Sequence, residues 1–140
     1  MSAVDSLVRL HRWQLDERRR QLADLDMLGQ KLRLEQERLG EEQKAEQRIA
    51  SGSTEAATVY ADYARRLIER RLKLEQSLAA VHQQIVAARD ALAEAYQEVK
   101  RYEIAAANRQ SQRRRRSEKQ QQQILDDVGI DVFRRRTERA

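Results

Sequence analysis

The stretch 60–106, YADYARRLIERRLKLEQSLAAVHQQIVAARDALAEAYQEVKRYEIAA, decides the fold of this chain. Fourteen of its residues are spaced alternately by four and three positions, and all of them except Arg71 are apolar or aromatic. A 3.5-residue repeat of this length keeps one stripe toward a partner helix only if the two helices wind around each other. The stretch therefore predicts one strand of a left-handed coiled coil. Its stripe, called the α2 seam below, consists of Tyr60, Ala64, Leu67, Arg71, Leu74, Leu78, Val81, Ile85, Ala88, Leu92, Ala95, Val99, Tyr102 and Ala106.

The composition of the whole chain favours an elongated helical protein over a globular one. Of 140 residues, 36% are charged and 4% are aromatic, which is poor material for a globular core. There is no proline and there are only four glycines, so helix propensity is high along most of the length. The absence of cysteine fits a reducing compartment. Because no apolar run is long enough for a signal peptide or a membrane span, we expect a soluble, cytoplasmic protein.

A first helix is predicted over about residues 4–50, followed by a turn at 51–54. Gly29 and Gln36 fall on the stripe of this helix, and Gly29 predicts a slight bend. Gly52 is expected to end the helix in the left-handed conformation, with Ser53 or Thr54 capping the next one and Glu55 at its positive end. The leucines of this first helix that follow a helical period are Leu7, Leu15, Leu22, Leu25, Leu32 and Leu39, widened by Leu10, Leu28 and Leu34.

A turn this short forces the two helices to run antiparallel. Folding about Gly52 pairs residue i with about 104 minus i, so cysteines at positions 25 and 78 are expected to crosslink within one molecule. The second helix is predicted over about 55–128, with everything after Tyr102 beyond the first helix and a flexible tail at 129–140 after Gly129. The predicted fold is an all-α, antiparallel two-helix coiled-coil hairpin with a longer, overhanging second helix, forming a single elongated domain over 1–140.

No catalytic or metal-binding constellation is found in the sequence. In the expected register, His11 and His82 lie far apart along the hairpin and are interpreted as surface residues. No phosphate-binding glycine loop and no nucleophile beside a base is present, so we expect neither an enzyme nor a cofactor. Trp13 is expected to cap the terminal end of the paired helices. Arg71 either fixes the register or extends toward the acidic Glu35 or Glu37.

The positive charge is confined to the C-terminal part of the chain. Residues 1–108 carry 18 basic and 18 acidic side chains, whereas residues 109–140 carry 10 basic and 5 acidic ones. The whole net charge of +5 therefore lies in the last 32 residues. Its centre is a run of four arginines followed by glutamines, and the basic residues of this part that we select as candidates for binding a partner are Arg109, Arg113, Arg114, Arg115, Arg116 and Lys119.

The hairpin with its longer, arginine-rich second helix resembles the FliJ/YscO family of type III export stalk proteins. The resemblance covers nearly the whole chain and is carried by 7–10 (LVRL), by 17–22, and by Val99, Lys100, Arg101, Tyr102 and Glu103 late in the second helix. Tyr60, Tyr63 and Leu67 after the turn belong to it as well. It implies the central stalk of a hexameric export ATPase, and flagellar systems are chosen over injectisomes because they are the more abundant.

The same resemblance implies the partners and the location of the protein. The expected partners are the hexameric ATPase, a membrane export gate protein and export chaperones, and the expected location is the cytoplasmic side of the inner-membrane export apparatus. The six basic residues selected above are assigned to the ATPase ring, and Tyr60 and Tyr63 to the gate. Two alternatives stay open: a basic coiled coil that binds nucleic acid, which five acids and the lack of nearby aromatics disfavour, and a homo-oligomeric spacer.

Overall fold

A computed structural model describes residues 2–139 of the chain. It contains two helices, α1 (Ala3–Ala50) and α2 (Thr54–Arg139), and no strand within the part that it describes. The helices pack against each other antiparallel, which confirms the all-α hairpin. Contacts divide the chain into two compact units, where the sequence predicts one domain. Unit 2 is Trp13–Tyr96, and unit 1 combines Met1–Arg12 with Gln97–Ala140.

The α2 seam is covered as the sequence predicts. All fourteen of its residues are buried or half-buried, whereas most of the residues between them are exposed. Leu67 retains only 3% of its accessible surface and Val99 only 4%. Burying a large aliphatic side chain contributes about 1.5–3 kcal/mol, so these layers supply the stability that the polar faces lack.

The stripe that α1 buries differs from the predicted one. Its covered residues keep the four-and-three spacing, but Leu7, Leu10, Leu28 and Leu34 lie off it and are exposed. Trp13 is 60% exposed on the outer side, so the expectation that it caps the paired helices is wrong. The buried or half-buried residues with this spacing are Val4, Val8, His11, Leu15, Leu22, Leu25, Gly29, Leu32, Leu39, Gln43, Glu46 and Ala50.

The packing of unit 2 brings side chains of the two helices into direct contact. Leu39 of α1 forms a core cluster with Leu67 and Leu74 of α2. Gly29 is buried, and a Cβ atom there would lie 3.6 Å from Val81 Cγ1 and 3.8 Å from Ile85 Cδ1. These are ordinary contact distances, so an alanine side chain would fit at Gly29 and the packing does not require glycine there. The helix α1 runs through Gly29 without interruption.

The observed register of the two helices differs from the register predicted by folding the chain about Gly52. In unit 2, Gly40 lies against Arg71, and Gly29 lies against Val81 and Ile85. Residue i of α1 therefore lies opposite about 112 minus i of α2, roughly one heptad from the expected value. Leu25 and Leu78 do not share a layer. A shift by one heptad leaves each stripe on the same face, so the fit of side chains between the helices decides the register.

In the turn between the helices, Gly52 differs from its prediction, whereas Ser53 agrees with it. No described residue has a positive φ, so Gly52 does not take the left-handed conformation. Instead, the Gly52 amide donates to the Ile49 carbonyl at 3.1 Å, which closes α1 with a 3₁₀-type bond. The Ser53 hydroxyl accepts the Ala56 amide at 3.0 Å and caps α2. Glu55 lies in the first turn of α2, as expected.

The second helix ends later than the sequence predicts. It continues through Gly129 to Arg139, so the expected helix end at 128 is wrong, and residues 129–139 of the expected tail are helical. The last residue of that tail, 140, lies outside the described residues. A single glycine can adopt helical dihedral angles at a cost of about 1 kcal/mol relative to alanine, so Gly129 does not have to end the helix. Within unit 1, every described residue from 107 to 139 is exposed. We call residues 107–139 the overhang.

Candidate partner-binding site

The candidate site lies in unit 1, where α1 begins beside α2. Ser2 and Asp5 start α1 with reciprocal hydrogen bonds. The Asp5 amide donates to Ser2 Oγ at 3.2 Å, and Ser2 Oγ donates to Asp5 Oδ2 at 2.8 Å. The hydrogen bonds from Ser2 lower the pKa of Asp5, and the positive charge of Arg113 acts in the same direction. Ser2 and Asp5 therefore stabilise the first turn of α1 by themselves. The Asp5 carboxylate already accepts a hydrogen bond from within this turn.

An ion-pair network and an aromatic stack join the two helices of this unit. The Arg12 guanidinium donates to Glu103 Oε1 at 3.0 Å from Nη2 and at 3.2 Å from Nε. Lys100 Nζ lies 3.4 Å from Glu103 Oε2. The hydrogen bond from Arg12 lowers the pKa of Glu103 below its usual value. His11 stacks on Tyr102 with ring centroids 4.4 Å apart, so His11 is a helix–helix contact and not a surface residue.

These contacts extend the pairing of the helices beyond the predicted end at Tyr102. Next to these contacts, a cleft of about 680 Å³ lies between the start of α1 and α2. Its apolar lining is small, consisting of Val8, Ala106 and Ala107. Its polar lining includes four arginines and the two carboxylates already described: Arg9, Arg12, Arg109, Arg113, Asp5 and Glu103. The excess of positive charge suits an acidic group of a partner.

The arginines of α2 in this region continue the spacing of the α2 seam. Beyond Ala106, the steps of three, four and three residues fall on Arg109, Arg113 and Arg116. The face that is apolar up to Ala106 therefore becomes basic where α1 begins. We call these three residues the basic seam. Arg109 and Arg113 line the cleft, and Arg116 follows them on the exposed helix.

The structure separates the candidate residues that the sequence groups together. Arg114, Arg115 and Lys119 lie off the basic seam, and all are exposed. Tyr60 and Tyr63 lie in unit 2 with ring centroids 6.2 Å apart, and both are half-buried.

The hydroxyl of Tyr63 faces the protein and not solvent. Its oxygen is buried without a hydrogen-bond partner at the usual distances among the described residues. Burial raises the pKa of Tyr63, and the nearby negative charges of Glu42 and Glu46 act in the same direction. The Tyr63 hydroxyl is therefore not presented to a partner at the surface.

Sequence reasoning missed the contribution of α1 to the cleft. Arg9 and Arg12 lie opposite the basic seam only because the true register brings the start of α1 down to that level. The basic seam itself was visible in the sequence, since extending the four-and-three spacing past Ala106 finds it. Arg71, expected to reach Glu35 or Glu37, lies instead over Gly40, 3.6 Å from where a Cβ atom would be.

The described residues contain neither a metal-binding cluster nor a helix suited to cross a membrane. No group of three or more His, Cys, Asp or Glu residues within 2–139 is placed to hold a metal ion. Neither α1 nor α2, over the residues described, combines the length and the apolar character that a membrane crossing requires.

Comparison with known proteins identifies the family. Residues 1–138 match the family model described as "Flagellar FliJ protein", which covers nearly the whole chain. No match was found among the curated proteins or among the solved structures. Members of this family are components of the flagellar export apparatus and form a structural rather than a catalytic family. The chain therefore belongs to the FliJ family of flagellar proteins.

Proposed function

We propose that this protein is the central stalk of the flagellar export ATPase and couples the ATPase hexamer to the export gate in the membrane. The observation that carries the proposal is the position of the charge. The net charge of +5 lies entirely after residue 108, and the described part of that region is exposed. A spacer that only holds two helices together has no need of this separation.

The form of α2 supports a mechanical role. It is one uninterrupted helix of 86 residues, which includes both the residues paired with α1 and the overhang. Packing against α1 through Leu67, Leu74 and Val81 stiffens the paired part. A displacement of the overhang by the ATPase is then transmitted along a continuous backbone. The candidates for contact with the ring are the basic residues of this part: Arg109, Arg113, Arg114, Arg115, Arg116 and Lys119.

The end of the hairpin near the turn contacts the gate in this proposal. Tyr60 and Tyr63 pack together there and leave part of their rings accessible. Aromatic side chains of this kind are frequent interface anchors. Tyr60→Ala should weaken capture by the cytoplasmic part of the gate protein, whereas Tyr96→Ala, a change at an exposed tyrosine farther along α2, should not. Equal effects would contradict the assignment. Export chaperones are further partners, and the protein acts at the cytoplasmic face of the inner membrane.

The role in the ATPase complex is tested with one variant and one matched control. In the test variant, Arg113, Arg114, Arg115 and Arg116 are replaced by Gln, which keeps helix propensity nearly unchanged. In the control, four exposed basic residues of unit 2 are replaced by Gln: Arg65, Arg66, Lys73 and Arg89. Stimulation of the purified export ATPase is measured across a salt series, because screening reduces surface electrostatics.

The test variant should stimulate the ATPase less than the wild type at low salt, and the difference should shrink at high salt. The control should behave as the wild type. Unchanged stimulation by the test variant would contradict a ring contact through these arginines. Tight, salt-dependent binding of DNA or RNA that the test variant loses, without any effect on the ATPase, would favour the nucleic-acid alternative.

A further inference from the structure

We propose that the basic seam and Arg9 form a binding face for an acidic helical segment of the ATPase, which packs along α2 in continuation of α1. This inference rests on the proposed function and adds the face of α2 and the chemistry of the partner. It also assigns roles to single arginines within the run 113–116. Arg113 and Arg116 bind, whereas Arg114 and Arg115 point elsewhere.

The spacing of the arginines along α2 places them on the face that α1 covers farther along the helix. A strict alternation of four and three residues places one face of α2 against α1 as far as Ala106. The same alternation continues through Arg109, Arg113 and Arg116, so these three side chains extend the face that is already shaped to receive a helix. At 100° per residue, Arg114 and Arg115 turn away from it.

The cleft carries an excess of positive charge that its own carboxylates do not neutralise. Asp5 is bound by Ser2, and Glu103 is bound by Arg12 and Lys100. Arg9 and Arg109, by contrast, have no ion-pair partner within 4 Å among the described residues. A carboxylate entering the cleft thus meets guanidinium groups that are not yet paired, which form the stronger, often bidentate, hydrogen bonds.

The residues in and beside the cleft favour a protein segment over a nucleic acid as its ligand. Val8, Ala106 and Ala107 give the cleft an apolar floor of small residues, which fits side chains of a helix. Residues 107–122 contain no aromatic side chain on which a base could stack.

The experiment compares two variants that lose the same charge from neighbouring positions. The seam variant replaces Arg109, Arg113 and Arg116 by Gln. The off-seam variant replaces Arg114, Arg115 and Lys119 by Gln. All six side chains are exposed, so both variants should retain the helical content and the unfolding midpoint of the wild type. Binding to the purified export ATPase is measured at about 0.1 M salt, where screening is moderate.

The seam variant should bind the ATPase about tenfold more weakly than the wild type, and the off-seam variant within about twofold of it. Equal losses in both variants would overturn the inference, because they would indicate attraction without a preferred face. Full binding by the seam variant would overturn it as well, while leaving the stalk role in place. Failure of the wild type to bind the ATPase would overturn the proposed function itself.

A random-sequence DNA duplex serves as the competing ligand in the same assay. Binding of the duplex by the wild type should be weaker than binding of the ATPase and should fall equally in the two variants, because both lose three charges. If the seam variant alone loses tight DNA binding, the occupant of this face is a nucleic acid, and the assignment of an acidic protein segment is wrong.

Discussion

The stretch 60–106 of α2 and the overhang have the same seam spacing but different side chains on it. In the first region the spacing places apolar residues such as Leu67 and Val81 on the covered face, and the helix is held by α1. In the second region it places Arg109, Arg113 and Arg116 on a face that no other described residue covers beyond the cleft. One helix thus has a face for intramolecular packing that changes, without a break, into a face suited to a partner.

Removing a buried side chain should give the largest difference between the two regions. Leu67→Ala should lower the free energy of unfolding by about 2–5 kcal/mol, because it leaves a cavity in the leucine cluster. Leu125→Ala in the overhang should change it by less than about 0.5 kcal/mol, since Leu125 is 65% exposed. Urea unfolding followed by circular dichroism measures both. A large loss for Leu125→Ala would mean that the overhang packs on something in the free protein.

Two of the helical glycines, Gly29 and Gly129, distinguish the regions by a smaller effect. Gly29→Ala should raise the free energy of unfolding by up to about 1 kcal/mol, because alanine is the better helix former and its Cβ atom meets Val81 and Ile85 at ordinary contact distances. Gly129→Ala should raise helicity slightly and leave the unfolding midpoint unchanged, since it lies in open space away from α1. Destabilisation by Gly29→Ala would indicate that the helices approach more closely than described.

The smallest expected effect is a dependence on pH at the edge between the two regions. The pKa of Glu103 is lowered in the folded protein by Arg12, so the unfolded chain binds the proton first as the pH falls. The stabilisation is therefore complete above the ordinary glutamate pKa of 4.5 and is lost as the pH falls through the lower pKa of the folded protein. Glu103→Gln should destabilise the protein at neutral pH and converge with the wild type in acid. A difference that is independent of pH would argue against the ion pair.

The sequence was sufficient for the helices and for the covered face of α2, because a 3.5-residue period is a property of local spacing. The register was not predictable in the same way. A shift of one heptad leaves every stripe on its face, and only contacts such as Gly29 with Val81 choose between the alternatives. The stack of His11 on Tyr102 and the contribution of Arg9 to the cleft both depend on that register.

The ends of the helices show the same limit at single residues. Ser53 is a favoured capping residue and caps α2 as expected. Gly52 and Gly129 were both expected to end helices, yet Gly52 ends α1 without a left-handed conformation, and Gly129 lies within α2. Glycine permits a helix end but does not require one.

Four consecutive glutamines of the overhang allow the most direct test that the α2 seam continues as the partner-binding face. Gln120 and Gln123 lie on the continued seam, whereas Gln121 and Gln122 lie off it, and all four are exposed. A photo-crosslinking amino acid is introduced at each position in turn, and adducts with the export ATPase are quantified. We expect strong adducts from positions 120 and 123 and weak ones from 121 and 122. Equal adducts from all four positions, or adducts mainly from 121 and 122, would contradict a seam-directed interface.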